Sequence, residues 1–318
     1  MINVPRSRRD PTLDHEQSGG RPSARSGLAV WPWFLAARPK TLTAGAVPVV
    51  VGTAFAYADG PRVDWSLFAF ALLGAIFIQI ATNFINDALD FKKGADTAER
   101  LGPLRVTQAG LLTPEVVLRG ATVCFLLALL CGVPLVLRGG FPLLAIGLVS
   151  VAAAYAYTGG PYPLAYHGLG ELFVMVFFGL VAVGGSYYVQ TGKITPAVLA
   201  AGAAVGSIST ALLAVNNLRD LDHDRRSGKR TLAARFGARF AKSEIAFFAL
   251  IPFLLLVPIG WRYRSPMLFL PLLALPLAFR LATLARRLSG RELNRCIGMS
   301  AGLLTAFGCL LSVALLLR

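Results

Sequence analysis

The chain has 318 residues, of which 55% are hydrophobic and only 15% charged, and its mean hydropathy is +0.63. Soluble domains carry about a quarter charged residues, so this composition excludes an ordinary soluble protein and indicates a membrane protein. The net charge of +15 would suggest nucleic acid binding in a soluble chain, but membrane topology explains it here, and we expect no nucleic acid partner.

The first 30 residues are rich in Arg, Ser, Pro and Gly and contain no apolar core. This composition predicts a disordered basic tail and not a secretory signal, which would need an apolar stretch. From residue 31 onward, long uncharged segments alternate with short charged ones, and a spanning helix needs about 20 apolar residues. The pattern therefore predicts an all-α, polytopic membrane domain over 31–318 with about nine transmembrane helices. The apolar segments are 41–58, 65–86, 120–137, 139–170, 172–192, 194–218, 245–261, 265–279 (extendable to about 285) and 296–317.

The basic residues are distributed unevenly between alternate connections. With the N-terminus inside and nine spans, 25 of the 31 Lys and Arg lie on the inner side, in the tail and in segments 38–40, 91–119, 219–242 and 280–295. Because Lys and Arg concentrate on the cytoplasmic side of membrane proteins, we expect the N-terminus and these loops to be cytoplasmic. For a bacterial chain the membrane would be the inner membrane.

Two segments place acidic residues at the end of an apolar span and follow them with a basic loop. The first is NFINDALDFKKGAD from Asn83, and the second is NNLRDLDHD from Asn216. If the helix continues, Asn83, Asn86 or Asp87, and Asp90 share one face in the first segment. Asn216, Asp220 and Asp224 share a face in the second, whereas Asp222 points about 200° away from Asp220. The repeat suggests two similar halves, about 31–167 and 168–318, that contribute to one shared site.

The acidic residues suit a hard metal ion. Mg²⁺ prefers oxygen ligands and binds through one or two carboxylates together with substrate phosphates. Basic residues follow both segments, and they could carry the remaining phosphate charge. The pattern therefore predicts a Mg²⁺-bridged diphosphate site, and a polyprenyl diphosphate whose tail lies in the bilayer would suit an intramembrane site of this kind. The basic residues in question are Lys92, Lys93, Arg100, Arg105, Arg225, Arg226, Lys229 and Arg230.

Both segments resemble the two Asp-rich motifs of the UbiA superfamily of intramembrane aromatic prenyltransferases. The stretches ARPKTLTAGAVPVVVG (37–52), DTAERLGPLRVTQAGLLTP (96–114) and YTGGPYPLAYHGLGELFVMVFFGLVAVGGSYYVQTG (157–192) extend the likeness to the family's naphthoate branch. The resemblance covers the chain from about residue 31. One position departs from the superfamily pattern, because Gly94 stands where many members have an Asp, and Asp96 would substitute for it.

The resemblance implies a bundle around a central cavity with active-site loops on the cytoplasmic side. It also implies Mg²⁺-dependent transfer of a polyprenyl group from polyprenyl diphosphate to 1,4-dihydroxy-2-naphthoate, with loss of CO₂ and diphosphate, to give demethylmenaquinone. By position, it assigns Asp90 and Asp220 to catalysis through the metal, and Asn83, Asn216 and Asn217 to the polar surroundings. The implied metal ligands are Asn86, Asp87, Asp90, Asp96, Asp220 and Asp224. The implied diphosphate contacts are Lys40, Lys93, Arg100, Arg105 and Lys229.

A general base would need only to remove a hydroxyl proton from the acceptor ring. Asp222 is the candidate because it lies off the metal-binding face. His167 and Glu171, near the start of a helix, are alternatives that would position the naphthoate. Two other functions stay open: a sibling enzyme that prenylates 4-hydroxybenzoate or another acceptor, and a cation-coupled transporter, whose sites typically lie near the bilayer midplane. The sequence leaves the prenyl chain length and the oligomeric state open.

Overall fold

The computed structural model describes residues 30–60, 62–95 and 101–318. The predicted basic tail therefore lies outside the described residues, as do Asp96 and Arg100. Within the described ranges the protein consists of helices and connecting loops, and eight helices are long and apolar enough to cross a membrane.

The helices are numbered in chain order. Short α1 precedes three long helices, and α5, with 16 residues, is the short apolar helix that corresponds to the predicted fourth span. The predicted all-α membrane architecture is confirmed. Eight helices have full spanning length, and the shorter α5 brings the number of apolar helices to the predicted nine. The helices are α1 Val30–Ala37, α2 Pro39–Asp59, α3 Trp65–Lys92, α4 Pro114–Gly139, α5 Phe141–Ala156, α6 Gly170–Thr191, α7 Pro196–Arg219, α8 Leu221–Arg226, α9 Leu232–Tyr263, α10 Pro266–Arg287 and α11 Gly290–Leu316.

Local sequence explains where several of these helices begin. Asp64 caps α3, its carboxylate accepting hydrogen bonds from the backbone N–H groups of Ser66 and Leu67. Thr113 and Thr195 cap α4 and α7, and each is followed by a proline at the first helical position. A side-chain oxygen at the cap and a proline directly after it both favour helix initiation, because they satisfy or remove N–H groups that have no intrahelical partner.

Helix α7 is the centre of the bundle, and small residues allow its neighbours to approach closely. It is the most buried of the eight candidate spans, whereas α4 is the most exposed and presents large leucines on its outer surface. A segment of α6, Met175–Val181, is a π-helix packed against α7. A Cβ atom at Gly179 would lie 2.5 Å from the carbonyl oxygen of Gly202, so this contact requires glycine.

The two ends of the bundle differ in chemistry. At one end, Tyr187 donates a hydrogen bond to Asp59 at 2.5 Å, and Asp64 and Gln190 exchange backbone–side-chain hydrogen bonds at 2.9 Å. At the other end α3 and α7 finish, each with its acidic residues. This second end is called the acidic end below.

Candidate active site

Helix α3 continues without a break through Asp90 to Lys92, which meets the condition for a shared face in the first acidic segment. Asn83, Asp87 and Asp90 are all buried. The Asn83 side-chain amide donates hydrogen bonds to the carbonyl of Ala37 at 2.8 Å and to the hydroxyl of Thr41 at 3.0 Å. Asn83 therefore ties the end of α1 to the start of α2, which carries the predicted phosphate contact Lys40.

Asp87 uses both of its carboxylate oxygens to hold the loop that follows α3. Oδ2 accepts from the backbone N–H of Val106 at 3.2 Å, and Oδ1 accepts from the N–H of Thr107 at 3.0 Å and from its hydroxyl at 2.5 Å. The Thr107 hydroxyl also lies 3.0 Å from the Asp87 carbonyl. Asp87 thus acts as an anchor for the loop that carries Arg105, and its part in metal binding stays a prediction.

Asp90 is the point at which the two acidic segments meet. Its carboxylate accepts a hydrogen bond from the Tyr166 hydroxyl at 2.9 Å and ion-pairs with Arg105 at 3.4 Å and with Lys229 at 3.2 Å. Lys229 lies 139 residues further along the chain, in the basic loop of the second segment. The ammonium groups of Lys93 and Lys229 also lie over the Tyr166 ring, 4.6 and 4.8 Å from its centroid. The carboxylate therefore lies among cations that follow both acidic segments.

The second acidic segment bends where the sequence pattern assumes a continuous helix. Helix α7 ends at Arg219, Asp220 has non-helical backbone angles, and α8 begins at Leu221. The Asp220 carboxylate forms a two-point ion pair with the Arg219 guanidinium, with N–O distances of 2.8 and 2.5 Å. Arg219 in turn donates to Asn294 at 2.9 Å, which ties this segment to α11.

Asp224, the last acid of the second segment, is buried. Its carboxylate accepts a long hydrogen bond of 3.4 Å from the Thr231 hydroxyl. Burial raises the pKa of Asp224 to about 7, while the positive charge of Lys229 acts in the opposite direction. A buried carboxyl group of this kind favours a cation beside it, because the cation would stabilise its charged form.

A polar cavity of about 450 Å³ opens between the two segments. Ten of the residues predicted for the site line it, and Glu171, Tyr157 and Thr158 contribute further polar groups. The predicted residues on the cavity are Lys40, Asn83, Asn86, Asp90, Arg105, Asn216, Asn217, Asp220, Asp224 and Lys229.

An apolar cavity of about 520 Å³ adjoins the polar one. Gln79, Thr82, Tyr157, Val174 and Phe178 line both, so the two spaces meet inside the bundle. The apolar cavity lies among α2, α3, α4, α5 and α6, and its walls are almost entirely aliphatic and aromatic. This arrangement offers a charged compartment next to a hydrocarbon-lined one.

Three predicted residues lie apart from the cavity lining. Asp87 faces the loop as described, and Lys93 donates to the Thr158 carbonyl at 2.5 Å from beside the site. Asp222, the sequence-based candidate for the general base, is exposed at the surface and does not line the cavity. Its neighbour His223 bonds to the carbonyl of Ala95, which links α8 to the end of the first segment.

The motif spacing did not identify Tyr166, Thr158 or Arg38. Tyr166 and Thr158 belong to the connection between α5 and α6, and the Thr158 hydroxyl donates to the side-chain oxygen of Asn86. Arg38 has a left-handed backbone, with φ of 52°, and also lines the cavity. The available signal was indirect, since Tyr166 and Thr158 lie in a polar segment between two apolar spans and Arg38 directly precedes a proline.

The donor chemistry of this cavity fits Mg²⁺. Asp90, Asp220 and Asp224 supply carboxylate oxygens and Asn86 an amide oxygen, while no sulfur ligand lines the described cavity. Among the described residues, no three acids or histidines are close enough to form a closed metal cage. Mg²⁺ does not need such a cage, because it keeps several waters and completes its shell with substrate phosphates.

Comparison with known proteins gives consistent matches. The profile of the UbiA prenyltransferase family matches residues 46–315. The 1,4-dihydroxy-2-naphthoate octaprenyltransferase of Haemophilus influenzae is 35% identical over 76% of this chain and 83% of its own length. The enzyme of the same name from Bacillus subtilis is 35% identical over 88% of this chain and 90% of its own. A UbiA homolog from Archaeoglobus fulgidus, solved bound to DMAPP and Mg²⁺, is 15% identical to this chain. The structural alignment covers 89% of this chain and 99% of the homolog, and its TM-score of 0.58 shows a common fold.

Proposed function

Because the chain belongs to the UbiA prenyltransferase family, we propose that it transfers a polyprenyl group from polyprenyl diphosphate to 1,4-dihydroxy-2-naphthoate. CO₂ and diphosphate leave, and the product is the quinol form of demethylmenaquinone. The acceptor is supported by the two relatives of that name, each 35% identical over most of this chain.

The observation that carries the proposal is the convergence of both acidic segments on one cavity. Asp90 from the end of α3 ion-pairs with Lys229 from the loop after α8. Asp220 and Asp224 line the same space. Carboxylates interleaved with lysine and arginine suit a metal-bound diphosphate, since the acids favour the metal and the cations favour the phosphate oxygens.

In this proposal Asp90, Asp220, Asp224 and Asn86 hold Mg²⁺. The ion, when bound, makes the diphosphate a better leaving group by withdrawing its negative charge. Asp96 would add a ligand from outside the described residues.

Cations on the cavity bind the diphosphate oxygens directly. Lys40, Arg105 and Lys229 all line the cavity, and Lys229 already lies 3.2 Å from a carboxylate oxygen of Asp90. Lys93 stands beside Tyr166 and adds positive charge, and Arg100 is proposed from the sequence alone. Cations held at fixed positions on a cavity wall would keep the leaving diphosphate in one orientation.

The apolar cavity receives the first isoprene units of the prenyl tail. It adjoins the polar cavity at Gln79 and Phe178, so a substrate with a charged head and a hydrocarbon tail can occupy both. The rest of the tail would extend between helices into the bilayer.

The charge distribution supports placing the acidic end at the cytoplasmic face of a bacterial inner membrane. The loops at this end carry most of the chain's lysines and arginines, which membrane proteins concentrate on the cytoplasmic side.

A competition assay tests the proposed acceptor. Purified protein in detergent receives Mg²⁺, a polyprenyl diphosphate and equal concentrations of 1,4-dihydroxy-2-naphthoate and 4-hydroxybenzoate. We expect a prenylated naphthoquinone as the main product. Prenylation of the benzoate alone would refute the acceptor and leave the prenyltransferase chemistry standing.

A further inference from the structure

Glu171 is a buried carboxylate that the diphosphate site does not use. It stands at the start of α6, with 5% of its surface exposed, and it lines the polar cavity. The side-chain amide of Asn217 donates to its Oε1 at 2.7 Å. Its Oε2 is buried and has no hydrogen-bond partner within the described ranges. A buried carboxylate oxygen without a partner is costly, so its presence calls for an explanation.

Asp224 accepts a hydrogen bond from Thr231, and the two remaining cavity acids are paired with cations. Asp90 accepts from Tyr166 and ion-pairs with two cations, and Asp220 is held by Arg219 at two points. No lysine or arginine of the described chain forms an ion pair with Glu171. Glu171 is therefore a carboxylate of this cavity that keeps an oxygen available for a neutral donor, such as a hydroxyl group.

The surroundings of Glu171 place that oxygen next to the diphosphate site. Tyr157 lines the same cavity as Glu171 and Asp90, and a Cβ atom at Gly170, the residue before Glu171, would lie 3.1 Å from the Tyr157 hydroxyl. Glu244 on α9 is a further titratable neighbour of Glu171; it is buried and does not line the cavity. An acceptor ring held against Tyr157 would therefore share one cavity with Glu171 and with the diphosphate site at Asp90.

We propose, on the basis of the proposed function, that Glu171 takes the proton from a ring hydroxyl of the acceptor and later returns it. As the O–H bond breaks, the oxygen becomes a carbonyl and the adjacent ring carbon, which bears the carboxylate, forms a C–C bond to the prenyl group. The C–O bond to diphosphate breaks, and diphosphate leaves with the electron pair. The bond to the carboxylate then breaks, CO₂ departs, and its electron pair restores the ring as an enolate that takes the proton back from Glu171. Protons and electrons balance, and the immediate product is the quinol.

Glu171→Gln is the test, since Gln keeps the size and the bond to Asn217 but cannot accept a proton at neutral pH. Glu244→Gln is the matched control, because it removes a second buried carboxyl group that does not line the cavity. We expect Glu171→Gln to lower kcat at pH 7 at least about 100-fold, the usual contribution of a general base. Its Kd for polyprenyl diphosphate with Mg²⁺, measured by calorimetry, should stay within about threefold of the unaltered protein, and Glu244→Gln should retain its kcat within the same factor.

A pH series separates proton transfer from a structural role. As pH rises toward 9, the acceptor hydroxyl ionises without help, so the ratio of unaltered to Glu171→Gln kcat should shrink to below about tenfold. Using a ratio at each pH cancels the titration of Asp224, which both proteins share. A constant ratio across pH, a kcat within threefold of the unaltered protein, or an equal loss in Glu244→Gln would each overturn the proposal. If the unaltered protein prenylates only another hydroxylated acceptor, the acceptor assignment fails, and the same ratio measured with that acceptor decides the role of Glu171.

Discussion

Replacing Asp87 with asparagine separates two roles that one carboxylate in the first acidic segment could have. In the structure, Oδ2 accepts from Val106 N–H and Oδ1 from the N–H and hydroxyl of Thr107. Asparagine keeps one oxygen for Thr107 but turns an amide NH₂ group toward the N–H of Val106. The loop loses a charged acceptor, and a buried donor is left without a partner.

The expected cost follows from these contacts. A hydrogen bond to a charged group contributes about 1.5–3 kcal/mol, and an unsatisfied buried donor costs about 1–3 kcal/mol. Because neighbouring terms are not additive, we take about 2 kcal/mol for local opening of the loop. At about 1.4 kcal/mol per tenfold change, this corresponds to roughly 30-fold faster amide exchange at Val106 and Thr107.

Hydrogen exchange followed by mass spectrometry, on protein in detergent, measures the loop directly. The Mg²⁺ concentration for half-maximal binding of polyprenyl diphosphate is measured on the same samples. Thr107→Val is the matched control, because it removes one hydroxyl donor and leaves the Asp87 charge in place. We expect Asp87→Asn to speed exchange and to change the Mg²⁺ requirement by less than about threefold. If exchange at 106–107 stays as in the unaltered protein while the Mg²⁺ requirement rises tenfold, Asp87 is a metal ligand and the loop-anchor interpretation is wrong.

Three further changes address the cations, the buried acid and the helix packing. Lys229→Gln should weaken diphosphate binding about 10- to 100-fold in calorimetry, since a charged hydrogen bond is lost, whereas Lys242→Gln, outside the cavity, should not. Because the pKa of Asp224 is raised to about 7, protons compete with the metal for this carboxylate below that pH. The Mg²⁺ concentration needed for binding should therefore rise as pH falls through 7, and Asp224→Asn should flatten this dependence. Gly179→Ala places a Cβ atom 2.5 Å from a carbonyl oxygen of α7 and should lower thermal stability by about 1–3 kcal/mol, whereas Gly185→Ala, with no atom within 4 Å, should be nearly neutral. Equal effects of a variant and its control, or a pH dependence that survives Asp224→Asn, would contradict these interpretations.

Apolar length and charge placement are properties of the chain itself, and they determined the membrane class and the approximate positions of the spans. Hydrocarbon thickness imposes a helix length that can be read residue by residue. The same reasoning located both acidic segments at helix ends and predicted their association with Mg²⁺ and diphosphate. The family resemblance in these segments agrees with the match over residues 46–315.

The tertiary structure decided which individual side chains face the cavity. Asp87 and Asp90 are only three residues apart, yet one holds a loop and the other meets Lys229 from 139 residues away. Spacing places both near one helix face but contains no information about what packs against that face. Likewise, the break at Asp220 and the exposure of Asp222 follow from how α7 and α8 pack, and the open oxygen of Glu171 follows from its position beside Asn217. Sequence periodicity fixes directions along a single helix, whereas the partners of each carboxylate depend on contacts between segments that lie far apart in the chain.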